Sequence, residues 1–369
     1  MSTADRTPLP IEPSVLIRQT ERLAADLPGL VETVYARAAD ALAAAGGGPW
    51  SRVCLVGDGD SYHAGCAAET AFETLAGLPC EPQPAQRFLG YHLDVVPEGP
   101  RDTLVVAVSS SGRTERVLQA VERARARGIT TVAVTGRPAS PLARAADAHI
   151  DVSLTDLERS PGIRTYQASL LGLLLLAVRL GTERHGEDRS RGLRAELTAL
   201  AEPLAATAQA LKEPCVELGR ALSDAPVIAV AGTGPGEGTA QYAAAKLVEG
   251  AGVMACGRDL EEWWHVERFA APLDMPLVVL APPGRAQERA ADLAIRAAAL
   301  GRRVAVVAPA GDALRFGPDV TVLPVRGETR EPFSPLLYHV FAGHLAFGLA
   351  QNLGRRPFQG HRPTGPALV

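Results

Sequence analysis

Three pairs of segments recur at one spacing, and this constrains the fold more than anything else in the chain. "VCLVGDGDSYHAG" (53–65) is echoed by "VIAVAGTGPGEG" (227–238), "LVVAVSSSG" (104–112) by "LVVLAPPG" (277–284), and "VAVTGRP" (132–138) by "VAVVAPA" (304–310). All three offsets fall at about 172 to 175 residues. Each segment is a Val/Leu run without polar alternation, which suits a strand buried on both faces of a parallel sheet. Three coincident offsets imply two copies of one doubly wound α/β unit.

The surrounding pattern agrees. Strands are predicted at 53–57, 103–108, 130–135 and 149–154, with helices at 63–77 and 114–127. Residues 14–45 read as one or two amphipathic helices, with Pro28-Gly29 as a break. A polar, Ala-rich stretch at 187–212 reads as a helical connection, and another helix is expected at 335–351.

At 369 residues either copy can bury a full core. A net charge of -4 with dispersed cations gives no electrostatic reason to expect nucleic acid or an anionic membrane as partner. The five cysteines form no CxxC, so neither a zinc site nor a redox motif is indicated, and Cys54 reads as a buried thiol within its strand. The N-terminus has no apolar signal core. The longest apolar stretch, 168–180, is shorter than a bilayer span and reads as a buried helix, so a cytoplasmic protein is expected.

The chemistry concentrates in "VVAVSSSGRTERVLQAVERARARG" (105–128). A buried strand ends in Ser109-Ser110-Ser111-Gly112, and Thr114 opens a helix. Backbone N–H groups, hydroxyls and the positive end of a helix dipole then meet at one point, which suits a phosphate monoester. Helix capping is the plainer alternative, but it needs one hydroxyl where four are present.

The Ser-x-Ser-Gly-x-Thr loop, the doubled unit and "LVGDGDSYHAG" resemble SIS (sugar isomerase) domains, and most closely the tandem-SIS isomerase half of glucosamine-6-phosphate synthases. The resemblance covers nearly the whole chain. It implies an α/β fold of two tandem SIS domains, each a flavodoxin-like three-layer sandwich with a parallel sheet, forming a homodimer with a shared active site. The boundaries it suggests are 1–50 for the tail and helices, 51–186 for the first SIS domain, 187–222 for the connection, 223–352 for the second SIS domain and 353–369 for a tail over the active site.

Carried over onto this sequence, Ser109, Ser111 and Thr114 match the family's phosphate loop, with Ser110 beside them, and Ser61 matches a further sugar-phosphate contact. In the second copy "APPGRA" replaces the serine loop, which implies loss of the phosphate function there. Lys246 and Glu249 match the family's lysine and general-base glutamate. Their spacing puts both on one helix face, where a surface ion pair is the plain alternative. His265 matches the histidine that helps open the sugar ring, often contributed by the neighbouring subunit. His339 and His344, in an apolar helix, read as core residues, and Trp263 and Trp264 either wall a pocket or pack.

Several departures bear on the reaction. No glutaminase segment precedes the first helices, so ammonia production from glutamine is not expected. The C-terminal segment has Arg362 near the position of the family's Schiff-base lysine, and an arginine cannot form the imine. Asp60 stands where the family has a small neutral residue, and Arg113 lies inside the phosphate loop. Either these two pair across the site, or Asp60 meets a substrate amine, or the substrate lacks phosphate.

What remains is proton-transfer chemistry: aldose–ketose isomerisation of a hexose or amino-hexose phosphate, with amino-sugar phosphate deamination or fructosamine-phosphate deglycation as alternatives. None of these requires a metal or organic cofactor. A non-catalytic sugar-phosphate-binding regulator is the reading of a different class.

Overall fold

The computed structural model describes residues 10–96 and 102–359. Two five-stranded sheets form, and every strand pair in both is parallel. The first contains β1 (Arg52–Gly57), β2 (Cys80–Pro84), β3 (Thr103–Val108), β4 (Thr130–Thr135) and β5 (Ala148–Asp151), in the order β2-β1-β3-β4-β5. The second contains β6 (Ile228–Gly232), β7 (Ala255–Asp259), β8 (Pro276–Leu280), β9 (Arg303–Pro309) and β10 (Val320–Val325), in the order β10-β9-β8-β6-β7. Read from the β7 edge, the second order is that of the first, so the repeat holds at the level of topology.

The Val/Leu runs explain the layering. Successive side chains on a strand point to opposite faces. On β1, Val53 and Leu55 enter a central apolar cluster, while Cys54 and Val56 face a separate outer one. Val117 and Val121 of the helix Glu115–Ala126 cover that outer face. In the second sheet Val279 and Val306 meet Leu293 of the helix Gln287–Ala299 in the same way. The central cluster is common to both sheets. It is built from the helices Ser14–Ala44, Arg164–His185, Ala201–Ala221, Pro235–Ala251 and Val340–Leu353.

Two sequence expectations need correction. Of the one or two helices expected over 14–45, one forms, Ser14–Ala44, and it runs unbroken through Pro28 where a break was expected. An interior proline costs about 3 kcal/mol. Here Leu16, Leu23, Leu27, Val31 and Val34 on both sides of it are fully or almost fully buried, and each apolar side chain so buried contributes roughly 1.5–3 kcal/mol. Polar ties reinforce the packing: Arg164 grips Asp26 at 2.7 and 2.8 Å, and Gln167 Nε2 donates to the Leu23 carbonyl at 2.7 Å. Strands β2, β7 and β10 had no counterpart in the sequence reading. All three are sheet edges, where prolines and polar residues are tolerated.

Two helical stretches, Arg164–His185 and Glu331–Leu353, are long and apolar enough to cross a membrane, yet their apolar windows are 78% and 94% buried within the protein. Their composition is accounted for by their place in the central layer.

Candidate active site

In a sheet of this order the crevice lies at the carboxyl ends of the strands where the winding reverses, here between β1 and β3. The loops leaving those two strands are the ones singled out in the sequence.

The β1 loop turns sharply into the helix Asp60–Ala71. A Cβ at Gly57 would lie 2.9 Å from the Ser61 carbonyl carbon and the Tyr62 nitrogen, so only glycine lets the helix start this close to the strand. Asp58 ties the loop to the end of β2, its Oδ1 accepting the Ala85 N–H at 3.1 Å, and burial raises its carboxyl pKa. It is a loop clamp. Ser61, half-buried, sits in the first turn of the helix.

In the β3 loop the Ser109 hydroxyl is buried and already engaged: it lies 3.0 Å from Thr114 Oγ1 and accepts the Gly112 N–H at 3.1 Å. Ser111 Oγ accepts the Arg113 N–H at 3.3 Å. Gly112 has φ +61, and a Cβ there would strike the Ser140 hydroxyl and lie 3.0 Å from Thr135 Oγ1. The result is a tightly wound turn in which Ser111 is exposed, Ser110 and Thr114 are partly exposed, and the Thr114 hydroxyl is turned to Ser109. Ser110 and Ser111 border a cavity of about 390 Å³ together with Arg137, Arg159, Ser160 and Thr165.

The second half supplies Lys246 and Glu249 through the helix Pro235–Ala251. This helix crosses Asp60–Ala71 at backbone contact: a Cβ on Gly238 would lie 2.7 Å from the His63 carbonyl oxygen and 2.8 Å from the Cys66 carbonyl carbon. That approach lets Lys246 of one helix reach Asp60 of the other. Lys246 Nζ, fully buried, donates to Asp60 Oδ2 at 2.7 Å and to Glu249 Oε2. Glu249, three residues on, keeps a third of its side chain exposed. It borders a cavity of about 310 Å³ with His63, Gln241, Val248 and Gly257. Asp60 also touches the turn beneath the other cavity, since a Cβ on Gly162 would lie 3.3 Å from Thr165 Oγ1 and 3.4 Å from Asp60 Cγ.

The electrostatics follow from burial. Desolvation raises the carboxyl pKa of Glu249 despite the lowering by Lys246, and the charge of Asp60 adds to the rise. Desolvation likewise raises Asp60 against the pull of Lys246. Burial works against the Lys246 ammonium, but the two carboxylates outweigh it and its pKa is raised. His63 is lowered to about 4, first by burial and then by Lys246, so it is a neutral imidazole at pH 7.

The residues expected from sequence are therefore brought together unequally. Lys246, Glu249, Asp60 and Ser61 lie at the crossing of two helices, with the 109–114 loop across the first sheet's crevice. Asp60 pairs with Lys246 and not with Arg113, because the helix crossing puts a buried ammonium beside it. His265 lies at the end of the short helix Leu260–His265, 71% exposed, with Glu261 at 3.6 Å, and does not border the Glu249 cavity. Trp263 is buried, and Trp264 carries the Arg268 guanidinium over its ring at 4.7 Å. His339 and His344 are buried. Arg362 lies outside the described residues.

His63, Arg137 and Arg159 were not anticipated. For His63 a signal existed: it stands three residues after Asp60 on the same helix and shares its face. Arg137 follows the end of β4. Nothing in the local sequence marks Arg159.

Residues 49–179 match the SIS domain family. The chain is 28% identical over 305 residues to glutamine–fructose-6-phosphate aminotransferase [isomerizing] of Gloeobacter violaceus, a match covering 82% of this chain and 49% of that protein. The chain thus spans about half the length of the curated relatives it matches. Its fold is similar to the C-terminal domain of glucosamine-fructose-6-phosphate aminotransferase from Francisella tularensis, with TM-score 0.81, 18% identity, and coverage of 97% of this chain and 100% of that one. It is also similar to glucosamine-6-phosphate deaminase from Thermotoga maritima, with TM-score 0.69, 18% identity, and coverage of 92% and 97%.

Proposed function

We propose that this chain, which carries a SIS domain and is homologous to the isomerase half of glutamine–fructose-6-phosphate aminotransferases, is an aldose–ketose isomerase acting on a hexose phosphate or amino-hexose phosphate. The observation that carries the reading is the state of Glu249: a carboxylate with a third of its side chain exposed at a cavity rim, its pKa raised by burial, across a helix crossing from the β1 loop. A carboxylate made basic by burial suits general-base work at neutral pH.

In this reading Ser110, Ser111 and Thr114 hold the phosphate, with Ser109 bracing the turn from within, and Ser61 contacts the sugar. Glu249 takes the proton from C2 of the open-chain aldose. The C–H electron pair becomes the C1–C2 double bond of an enediol, and the carbonyl oxygen gains a proton. Return of the proton to C1, with loss of the O2 hydroxyl proton as the C2 carbonyl forms, balances the proton gained at O1 and gives the ketose. His265 would open the ring, reaching the site from a second copy of the chain. The finer reading is thus a cytoplasmic homodimer of two flavodoxin-like SIS domains at 51–186 and 223–352, linked through 187–222, with 353–369 over the site. The strand order of both sheets supports the flavodoxin-like part of it.

The same proton abstraction would begin deamination of an amino-sugar phosphate or deglycation of a fructosamine phosphate, and the likeness to the Thermotoga deaminase favours keeping this as the second reading. Incubation with hexose and amino-hexose phosphates in D2O separates them. Isomerase activity gives deuterium at C1 or C2 without ammonia, and deaminase activity gives both. Glu249→Gln should lower exchange by about 10³-fold. Exchange undiminished in that variant, or none with any sugar phosphate in the wild type, would overturn the reading.

A further inference from the structure

A lysine and a glutamate three apart on a helix, left to themselves, neutralise each other, and an ammonium in contact makes a carboxylate a poorer base. Lys246 is not left to itself, since its ammonium stands between Glu249 and Asp60 and is sealed from solvent. We propose that Asp60 is a positioning residue that engages Lys246 from the opposite helix and so keeps Glu249 competent to take a proton. This assignment rests on the general-base reading of Glu249 above.

The geometry supports that role over direct substrate contact. Asp60 opens its helix, where the dipole favours a negative charge. Its Oδ2 is committed to Lys246, and its Oδ1 is buried with no partner among the described residues. Although 23% of the side chain is exposed, a substrate amine would find Oδ2 taken by Lys246 and Oδ1 closed off.

The groups facing Glu249 come from three directions. Lys246 and Tyr242 share its helix, Asp60 and His63 face it across the crossing, and Arg355 lies on the turn whose Phe358 N–H donates to the Glu249 carbonyl. His63 is neutral at pH 7, and Arg355 is bonded to the Gly252 carbonyl. This leaves Asp60 and Lys246 as the charges that act oppositely on the base, the first raising its pKa and the second lowering it.

The test is a double-mutant cycle read in two ways. The acid limb of kcat/KM against pH, measured with the sugar phosphate that exchanges best, reports protonation of the base. Infrared titration of the carboxyl band that disappears in Glu249→Gln reports the same group without any substrate. In Asp60→Asn the limb and the band should both move to lower pH, and kcat should fall on the order of ten-fold. In Asp60→Asn/Lys246→Gln the opposing ammonium is gone as well, and both should move back up.

An unmoved band in Asp60→Asn overturns the proposal, as does a higher KM with the acid limb in place, which would make Asp60 a substrate contact. The double variant also covers poor folding of the single one, because it leaves no buried charge unpaired at these two positions. If no sugar phosphate reacts, the isomerase reading falls, and the infrared titration alone decides the role of Asp60.

Discussion

The two sheets share one winding and have diverged at the loops. After β1, Gly59 adopts φ 54 and ψ -129; after β6, Gly234 adopts φ 55 and ψ -130. The glycines before these turns are equivalent too, since a Cβ at Gly57 or Gly232 would collide with the first turn of the following helix. What hangs on this shared backbone differs. In the first copy Asp60 and Ser61 follow the turn; in the second their places are taken by Pro235 and Gly236.

The loops after β3 and β8 differ more deeply. The first presents hydroxyls to a cavity. The second, Pro282-Pro283-Gly284-Arg285, has drawn in a carboxylate of the protein itself: Glu331 Oε1 accepts the Arg285 N–H at 2.9 Å, and a Cβ on Gly284 would meet its Cδ at 2.5 Å. One loop borders a cavity, while the other is occupied by a carboxylate of the protein itself. The proposed roles divide along the same line, with anion binding assigned to the first copy and the general base to the second.

This contrast can be broken most severely at the helix crossing. Gly238 occupies the position of His63 in the repeat, and its missing side chain is what allows backbone contact. Gly238→Ala puts a methyl against main-chain atoms that cannot swing away, and a cost of about 3 kcal/mol is expected. Urea unfolding measures it. A change within about 0.5 kcal/mol would mean the two helices can separate freely, and the Asp60–Lys246 pair would lose its structural cause.

A second comparison sets the two loops against each other. Ser111→Ala with Thr114→Val removes two hydroxyl donors to an anion, each worth about 1.5–3 kcal/mol. KM for the best phosphosugar should then rise by at least about 100-fold. Glu331→Gln, in the equivalent loop of the second copy, should leave KM unchanged and cost about 1 kcal/mol of stability. An equal rise in KM from both would erase the functional distinction between the copies.

Much of this was legible in the sequence, and the limits are physical. The central strands could be read because burial on both faces demands continuous Val/Leu runs, as in "TLVVAV". The edge strand "CEPQP" could not, since its partner on one side is solvent and its composition is that of a loop. At the site, Glu249 and Lys246 were legible as an i,i+3 pair on one face. The partner of Asp60 was not, because it lies 186 residues away and depends on a glycine-mediated crossing of two helices. Opposite charge suggested Arg113, which is exposed on the loop after β3.

The smallest expected effect lies where the two copies meet face to face. Tyr166 and Tyr242 stack with ring centroids 3.7 Å apart and planes 17° from parallel, both buried, with the His339 ring 5.5 and 5.7 Å away. Neither hydroxyl has a partner among the described residues, and burial, with the charge of Asp60 next in weight, raises both phenol pKa values well above normal. A buried hydroxyl without a partner contributes nothing to offset its desolvation. Tyr166→Phe and Tyr242→Phe should therefore change stability by less than about 1 kcal/mol, in either direction, because the stacking is kept. Tyr242→Leu, which removes a ring from the stack, should cost more than either, and urea unfolding of all three sets the scale. If a Phe variant instead loses about 2 kcal/mol or more, its hydroxyl is holding a group in place beside Asp60, and the acid limb of that variant should then be measured alongside Asp60→Asn.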